Sequence, residues 1–332
     1  MTLEQAEALD AADPLASYRA QFMCPAGVIY LDGNSLGQLP LSTVTAGAEL
    51  LNHAWGQRLI RSWNEGWIDA PQRVGAMIAP LIGAEADEVI SADSTSVNLY
   101  KLIVAALRRN PSRNVVVSEA GNFPTDLHIA EGAVAAVAGA ELRVVERGAL
   151  ADALGDDTAL LLLTHVHYKT AERFDMAAWT KAAHDAGALI CWDLSHSAGA
   201  VAVELNAADA DMAVGCGYKY LNGGPGAPAF LYVAKRWQEQ MHNPLSGWMG
   251  HAAPFAFADG YEAAAGMTRW LTGTPSVLGL NALENGLKLW ADIDIRQVEA
   301  KSAALWDIFH AAGTAAGLEC VTPSAPSASC AP

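Results

Sequence analysis

The feature that most constrains this chain is a repeated alternation of short, wholly apolar runs with longer amphipathic stretches. Strands buried on both faces read as continuous apolar runs, and parallel neighbours need a crossover long enough to hold a helix. Asn114–Ser118, Leu142–Val145, Ala159–Thr164, Ala188–Trp192 and Met212–Gly215 read as such strands. Ser96–Arg109, Leu127–Ala138 and Asp175–Ala186, rich in Ala and Leu, read as the helices between them. Val201–Leu205 and Ala229–Val233 read as further strands near the sheet edge. The expected architecture is α/β, a large domain with a mainly parallel sheet covered by helices.

Beyond Pro275 the alternation gives way to two long helical segments, Val277–Ile293 and Arg296–Ala315, broken near Asp292 and Asp294. Leu318–Thr322 reads as the start of a strand, and Pro323–Pro332 as a small, Pro-rich, structureless tail. A strand begun after a helix pair normally continues into a sheet, so the chain is expected to stop inside an incomplete small α/β domain. The expected division is an N-terminal segment of the small domain over 1–44, the large domain over 45–275, and an incomplete small domain with a disordered tail over 276–332.

Composition excludes several classes of function. Asp+Glu number 36 against 20 Lys+Arg, a formal net charge of −16 that repels phosphate backbones and anionic lipid. No nucleic-acid or membrane partner is therefore expected. Apolar residues make up 52% and charged residues 17%, too much core material for a disordered chain. No apolar run approaches the roughly 18 residues of a membrane span. Glu4, Glu7, Asp10 and Asp13 stand where a secretory signal carries basic residues, so a cytoplasmic protein is expected. Five scattered cysteines fit neither a disulfide framework nor a zinc site and predict reduced thiols. His165 and His167 share a strand face at a spacing that binds metal, but no third ligand is near in sequence, and no metal is expected.

Three segments place polar residues at the carboxyl ends of strands, where open α/β sheets bind ligands. In the first, a buried strand runs into Asp193, with His196 after it; an acid ending a strand is also an ordinary cap or turn former. In the second, Lys219 lies between Tyr218 and Tyr220 ahead of a glycine cluster, an unusual place for a lysine. No Ser or Thr succeeds it, so it is not a nucleotide phosphate loop. In the third, Ser94, Thr95 and Ser96 open a helix, where hydroxyl residues are common caps but the same N–H groups also cradle phosphate. Together the three match one cofactor, pyridoxal 5'-phosphate (PLP). PLP needs an amine to carry its aldehyde, a carboxylate to keep its ring nitrogen protonated, and an anion site for its phosphate. Lys219 supplies the amine, which desolvation and cationic surroundings favour in its neutral, reactive form. Asp193 supplies the carboxylate, and the interval between them leaves room for a strand pair.

Several ordered stretches also resemble one family. They are Tyr30-Leu-Asp-Gly-Asn34-Ser35-Leu-Gly37, Asn122-Phe123-Pro-Thr-Asp126, His165-Val-His-Tyr-Lys-Thr170, Trp192-Asp193-Leu-Ser-His196 and Gly217-Tyr218-Lys219-Tyr220-Leu-Asn-Gly-Gly-Pro-Gly226. They resemble the kynureninases, PLP-dependent hydrolases of the aspartate-aminotransferase fold (fold type I), over about residues 20 to 320. The resemblance implies that Lys219 carries the cofactor and that Asp193 and His196 bind it. It implies phosphate or ring contacts for Thr95, Ser96, Tyr218 and Thr164, an aromatic cover in Phe123, and a further cofactor contact in Asp126. Trp248 and Thr274 are similar to cofactor residues that cross from the second subunit of a homodimer. Thr274 stands where some members carry Asn. Asn34, Ser35 and Trp63 fall where the family meets substrate, although Trp63 and Trp248 also read as ordinary core or interface aromatics.

The activity so implied is hydrolytic Cβ–Cγ cleavage of L-kynurenine or 3-hydroxykynurenine to anthranilate or 3-hydroxyanthranilate and L-alanine, in tryptophan degradation. Lys219 acts there as general base, Asp193 holds the ring nitrogen and Tyr218 carries a proton. Family members continue past this chain's last residue, through the arginine that clamps the substrate α-carboxylate, and no arginine comes after Arg296 here. The sequence thus reads as a member truncated at its C-terminus. The alternative expectation is a non-catalytic, PLP-binding remnant. A cysteine desulfurase of the same fold needs a mobile catalytic cysteine, and Cys320 and Cys330 lack the expected surroundings.

Overall fold

A computed structural model describes residues 3–322 and the short strand 329–330. Among these residues the strands are β1 (Val89–Ser91), β2 (Val115–Glu119), β3 (Glu141–Val145), β4 (Thr158–Thr164), β5 (Arg173–Phe174), β6 (Leu189–Asp193), β7 (Met212–Gly215), β8 (Phe230–Val233) and β9 (Ser329–Cys330). Seven of them form one sheet in the order β1-β8-β7-β6-β4-β2-β3, while β5 and β9 pair separately. β8 runs antiparallel to both of its neighbours and every other pair in the large sheet is parallel. The mainly parallel α/β sheet expected from the apolar runs is the one observed, and it lies wholly within 45–275.

The central strands are apolar along their whole length because helices cover both faces. β4 is buried at every position, and its alternate residues feed two separate cores. Leu161 and Leu163 join Ile190, Trp192 and Phe230 on one face, while Leu160 and Leu162 join Cys191, Val214 and Leu231 on the other. The helix Thr95–Arg109 packs on that second face through Leu99, Leu102, Ile103 and Ala106, at i, i+3, i+4 and i+7. Each fully buried Leu or Ile there contributes about 1.5–3 kcal/mol. The helix starts where the Ser94 hydroxyl accepts the Val97 N–H at 3.3 Å.

Some expectations are corrected. Val201–Leu205 is not a strand: the Leu205 and Asn206 N–H groups donate to Ile82 and Gly83 carbonyls in a turn-rich crossing. Leu318–Thr322 carries no strand. Of the tail expected to be structureless, 323–328 and 331–332 lie outside the described residues, and Ser329–Cys330 run parallel to Arg173–Phe174. The two late helices are Val277–Leu287, extended by a 3-10 turn over Lys288–Asp292, and Ile295–Ala315. Their break comes at Asp294, whose carboxylate caps the second helix by accepting the Arg296 N–H.

Strand register decides which side chains meet at the sheet's carboxyl edge. Thr164 at the end of β4 lies opposite Asp193 at the end of β6, and Asp193 lies opposite Val214 of β7. The carboxyl ends of three adjacent strands therefore deliver side chains to one place.

Candidate active site

Asp193 is the last residue of β6 and is buried, as is Asp126 on the helix Pro124–Ala135 that comes after β2. Their carboxyl groups meet side chain to side chain. Burial and the neighbouring charge of Asp193 push Asp126 well above the usual carboxylate range. Burial also raises Asp193, but the Ser195 N–H it accepts at 2.8 Å and the positive charge of Lys219 act the other way. Two carboxylates in contact cannot both ionise, so the pair carries one proton, held on Asp126, and one charge, on Asp193. Thr164 completes the group: its Oγ1 lies 2.5 Å from Asn122 Oδ1 and 3.2 Å from Asp126 Oδ2.

Lys219 lies just beyond β7, and its amine is buried beside this pair. Its Nζ lies 2.9 Å from His196 Nε2. Burial and the charge of Lys219 hold the His196 imidazole down to about 4, so at neutral pH it is uncharged and accepts from the amine. Phe123 and Tyr218 present their rings 5.8 Å from the same nitrogen. Tyr168 stands edge-on to Phe123 at 5.2 Å and extends that aromatic wall. Burial raises the Tyr218 phenol, with Cys216 and Asp193 adding to the effect, so it is a proton donor at neutral pH.

The chain's N-terminal part is tied to this lysine. Gly37 N–H donates to the Tyr218 carbonyl at 3.0 Å, and Asn222 Nδ2 donates to the Gln38 carbonyl at 3.0 Å. A Cβ at Gly37 would stand 2.1 Å from the Lys219 carbonyl oxygen, so only glycine allows the approach. Asn34 and Ser35 lie in the turn just before it, which opens with the Ser35 N–H donating to Asp32 O.

Lys219, Asp193, His196, Thr164, Asp126, Phe123 and Tyr218 are thus brought together as expected. Thr95 and Ser96, half-buried, form the first turn of the helix after β1. Trp248 and Thr274 are exposed. Trp248 packs on Phe255, and Thr274 borders a cavity of about 270 Å³ shared with Asp93. Trp63 stacks edge-on with Trp67 at 5.9 Å, a structural contact outside the group. Sequence reasoning gave no role to Asn122 or Tyr168, and it weighed His165 only with His167 as a metal pair that lacked a third ligand. The first two belong to the stretches that carry the family resemblance, and their signal was adjacency to Phe123 and to His167. His165 is buried against Ser197 Oγ at 2.9 Å, and burial pushes it down to about 3, so it is a neutral structural group. Among the described residues no three His, Cys, Asp or Glu side chains gather in a metal-binding group. Cys24, Cys191, Cys216 and Cys320 are all free thiols.

The donor set fits PLP by its chemistry. A buried primary amine has a neutral imidazole and aromatic faces around it, a single buried negative charge lies in the same group, and a helix N-terminus carries two hydroxyl residues. Comparison with known proteins bears on the same reading. The family model for Aminotransferase class-V matches residues 29–318. A kynureninase of Burkholderia mallei is 51% identical over 317 residues, covering 93% of this chain and 76% of that protein. The apo structure of a cysteine desulfurase from Thermococcus onnurineus superposes with a TM-score of 0.76 at 19% identity, over 96% of this chain and 79% of that one. A mutant of C-DES with glycine covalently linked to its PLP cofactor gives 0.72 at 17%, over 82% and 73%. At these low identities the two structures speak for the fold alone.

Proposed function

The chain belongs to the kynureninases, within the class-V aminotransferases, and from that membership we propose that it hydrolyses the Cβ–Cγ bond of L-kynurenine or 3-hydroxykynurenine. The products are anthranilate or 3-hydroxyanthranilate and L-alanine, and the cofactor is PLP. The observation that carries the reading is the buried Lys219 amine, 2.9 Å from a neutral His196 and in the field of Asp193.

When bound, PLP supplies an electron sink conjugated to the substrate α-carbon. Lys219 would hold its aldehyde and, as a free amine, would take the substrate α-proton as general base. The neutral His196 supports this role, because it accepts a hydrogen bond from the amine without competing for its proton. Asp193 keeps the ring nitrogen protonated, and the proton on Asp126 leaves that charge undivided. Thr95, Ser96 and the free N–H groups of their helix hold the phosphate. Phe123, backed by Tyr168, covers the ring face. Tyr218, held as a phenol, would supply the proton that Cβ needs as the Cβ–Cγ bond breaks and water's oxygen stays on Cγ. Asn34 and Ser35, which precede the Gly37 that contacts the Lys219 backbone, would meet the substrate, whereas Trp63, packed on Trp67 outside the Lys219 group, could reach an aryl wall only in a partner subunit's site.

The working unit is a cytoplasmic homodimer in which Trp248 and Thr274 complete the partner's site. Their exposure supports this, as does the run of exposed apolar side chains at Trp55, Leu59, Ile60 and Leu278, which a second copy would cover. Residues 45–275 form the large PLP-binding domain, with 1–44 and 276–332 belonging to the small one. The test is direct. Purified protein with PLP and kynurenine should gain anthranilate fluorescence, and Lys219→Ala should abolish both the gain and the absorbance of covalently held PLP. Absence of anthranilate from PLP-loaded wild type refutes the assignment.

A further inference from the structure

Lys101 is fully buried in the helix Thr95–Arg109, yet it belongs neither to the Lys219 group nor to the phosphate-binding turn. Its Nζ lies 2.5 Å from Asp93 Oδ2 and 2.7 Å from the Trp270 carbonyl oxygen. Burial lowers the lysine's proton affinity and Asp93 partly restores it. An ammonium this deep persists only where its partners are fixed.

The partners sit at two informative places. Asp93 immediately precedes the capping residue Ser94 and adopts φ +47, a left-handed conformation uncommon outside glycine and one that Asp tolerates better than most residues. Its carbonyl accepts the Ala229 N–H at 2.9 Å, so backbone and side chain are both tied. Trp270 ends the 3-10 turn that leads into Thr272-Gly-Thr274, and Asp93, Thr272 and Thr274 border the same cavity. The helical Cβ direction aims Lys101 back toward the N-terminus, which allows one side chain to span both.

We propose that Lys101 is a positioning residue for the phosphate end of the cofactor site: by bridging Asp93 and Trp270 it fixes the left-handed turn that aims the Ser94–Ser96 backbone, and it locks that turn to the segment carrying Thr274. This rests on the functional reading for the identity of the anion, while the bridge itself is independent of it. Lys101 touches no reacting group, so its loss acts through geometry.

The experiment compares PLP with pyridoxal, which has the same aldehyde and ring but no phosphate, on wild type, Lys101→Met and Asp93→Asn. Expected is a rise in the PLP dissociation constant of at least about tenfold in Lys101→Met, with pyridoxal affinity held within about twofold. Asp93→Asn, at the solvent side of the pair, should shift in the same direction by less and keeps the test available if Lys101→Met does not fold. Equal weakening of both ligands, as from a generally loosened site, overturns the proposal, and so does an unchanged PLP affinity. Amide hydrogen exchange at Ala229 and Leu271 is measured alongside and should quicken in both variants. Should wild type take up no PLP, the functional reading fails by itself, and the bridge is then judged on exchange alone, where unchanged rates overturn it.

Discussion

Replacing Asp193 by asparagine removes the one negative charge of a buried carboxyl pair without changing its shape. An opposite charge within about 4–6 Å shifts a titrating group by about 1–3 units. At 1.36 kcal/mol per unit this corresponds to about 1.4–4 kcal/mol of stabilisation of the protonated ring, a loss of roughly 10- to 1,000-fold in kcat. The fold should not suffer. A carboxylate whose folded pKa is raised is destabilising when ionised, so at neutral pH the amide is expected to leave Tm unchanged or higher. Asp126→Asn is the matched control. Asp126 is already uncharged, and an amide keeps a donor toward Asp193, so its cost is about one hydrogen bond, near 1 kcal/mol or about fivefold in kcat. The assay is anthranilate release at saturating kynurenine, with PLP occupancy checked by absorbance. Full turnover by PLP-loaded Asp193→Asn refutes the role of the charge. If Asp126→Asn instead proves the more damaging, the proton has been assigned to the wrong partner.

Subunit mixing and pH test two other parts of the structure. If Trp248 serves the partner's site, mixing inactive Lys219→Ala and Trp248→Ala subunits should restore up to about a quarter of native activity, because each mixed dimer holds one intact site; no recovery after verified subunit exchange refutes the crossing. His184 is raised above its usual value chiefly by its hydrogen bond to Asp211, so its contribution to stability is complete below about pH 6.5 and is lost as pH climbs through the raised value. The Tm difference between wild type and His184→Gln should therefore narrow from about pH 6 to about pH 9, and a constant difference refutes the coupling.

How far the sequence carried depended on whether a feature was local. The parallel strands between 114 and 215 were legible because burial on both faces leaves an unmistakable apolar run. β1 has only three residues, and its antiparallel pairing with β8 brings together chain segments far apart in sequence, so no window shows it. Val201, Val203 and Leu205 alternate like a strand and misled for the opposite reason. Val203 and Leu205 are buried, but their segment's backbone is satisfied by the turn at Ile82–Gly83. In the site, Lys219 and Asp193 stood out because a lysine among aromatics and an acid ending a buried strand are each unusual. The sharing of one proton with Asp126 depends on how the helix after β2 meets the end of β6, which no spacing reveals. Lys101 left a faint trace: a lone lysine in Leu99-Tyr-Lys101-Leu-Ile-Val-Ala-Ala-Leu107, a helix segment apolar almost all round, has no solvated face to occupy.

The site divides into a rigid half and a stitched half, and the division explains where each kind of residue occurs. Thr164 and Asp193 are strand residues locked opposite one another by the sheet register, so the anion that must face the cofactor ring cannot wander. On the proposed reading Lys219 must do the reverse, releasing its partner and moving as a base, and it lies in the irregular chain after β7. Its backbone is nonetheless held, because the Tyr218 carbonyl accepts from Gly37 and Asn222 reaches across to Gln38. Those bonds tie the chain on either side of the lysine, while its side chain meets His196, the aromatic faces and the charge of Asp193. They also tie the segment that follows Asn34 and Ser35 to the backbone around Lys219, so on the proposed reading the approach of substrate to base would be set by backbone rather than by side-chain reach. Gly37 is the residue this arrangement demands, since a Cβ there would collide with the Lys219 carbonyl and lift both segments apart.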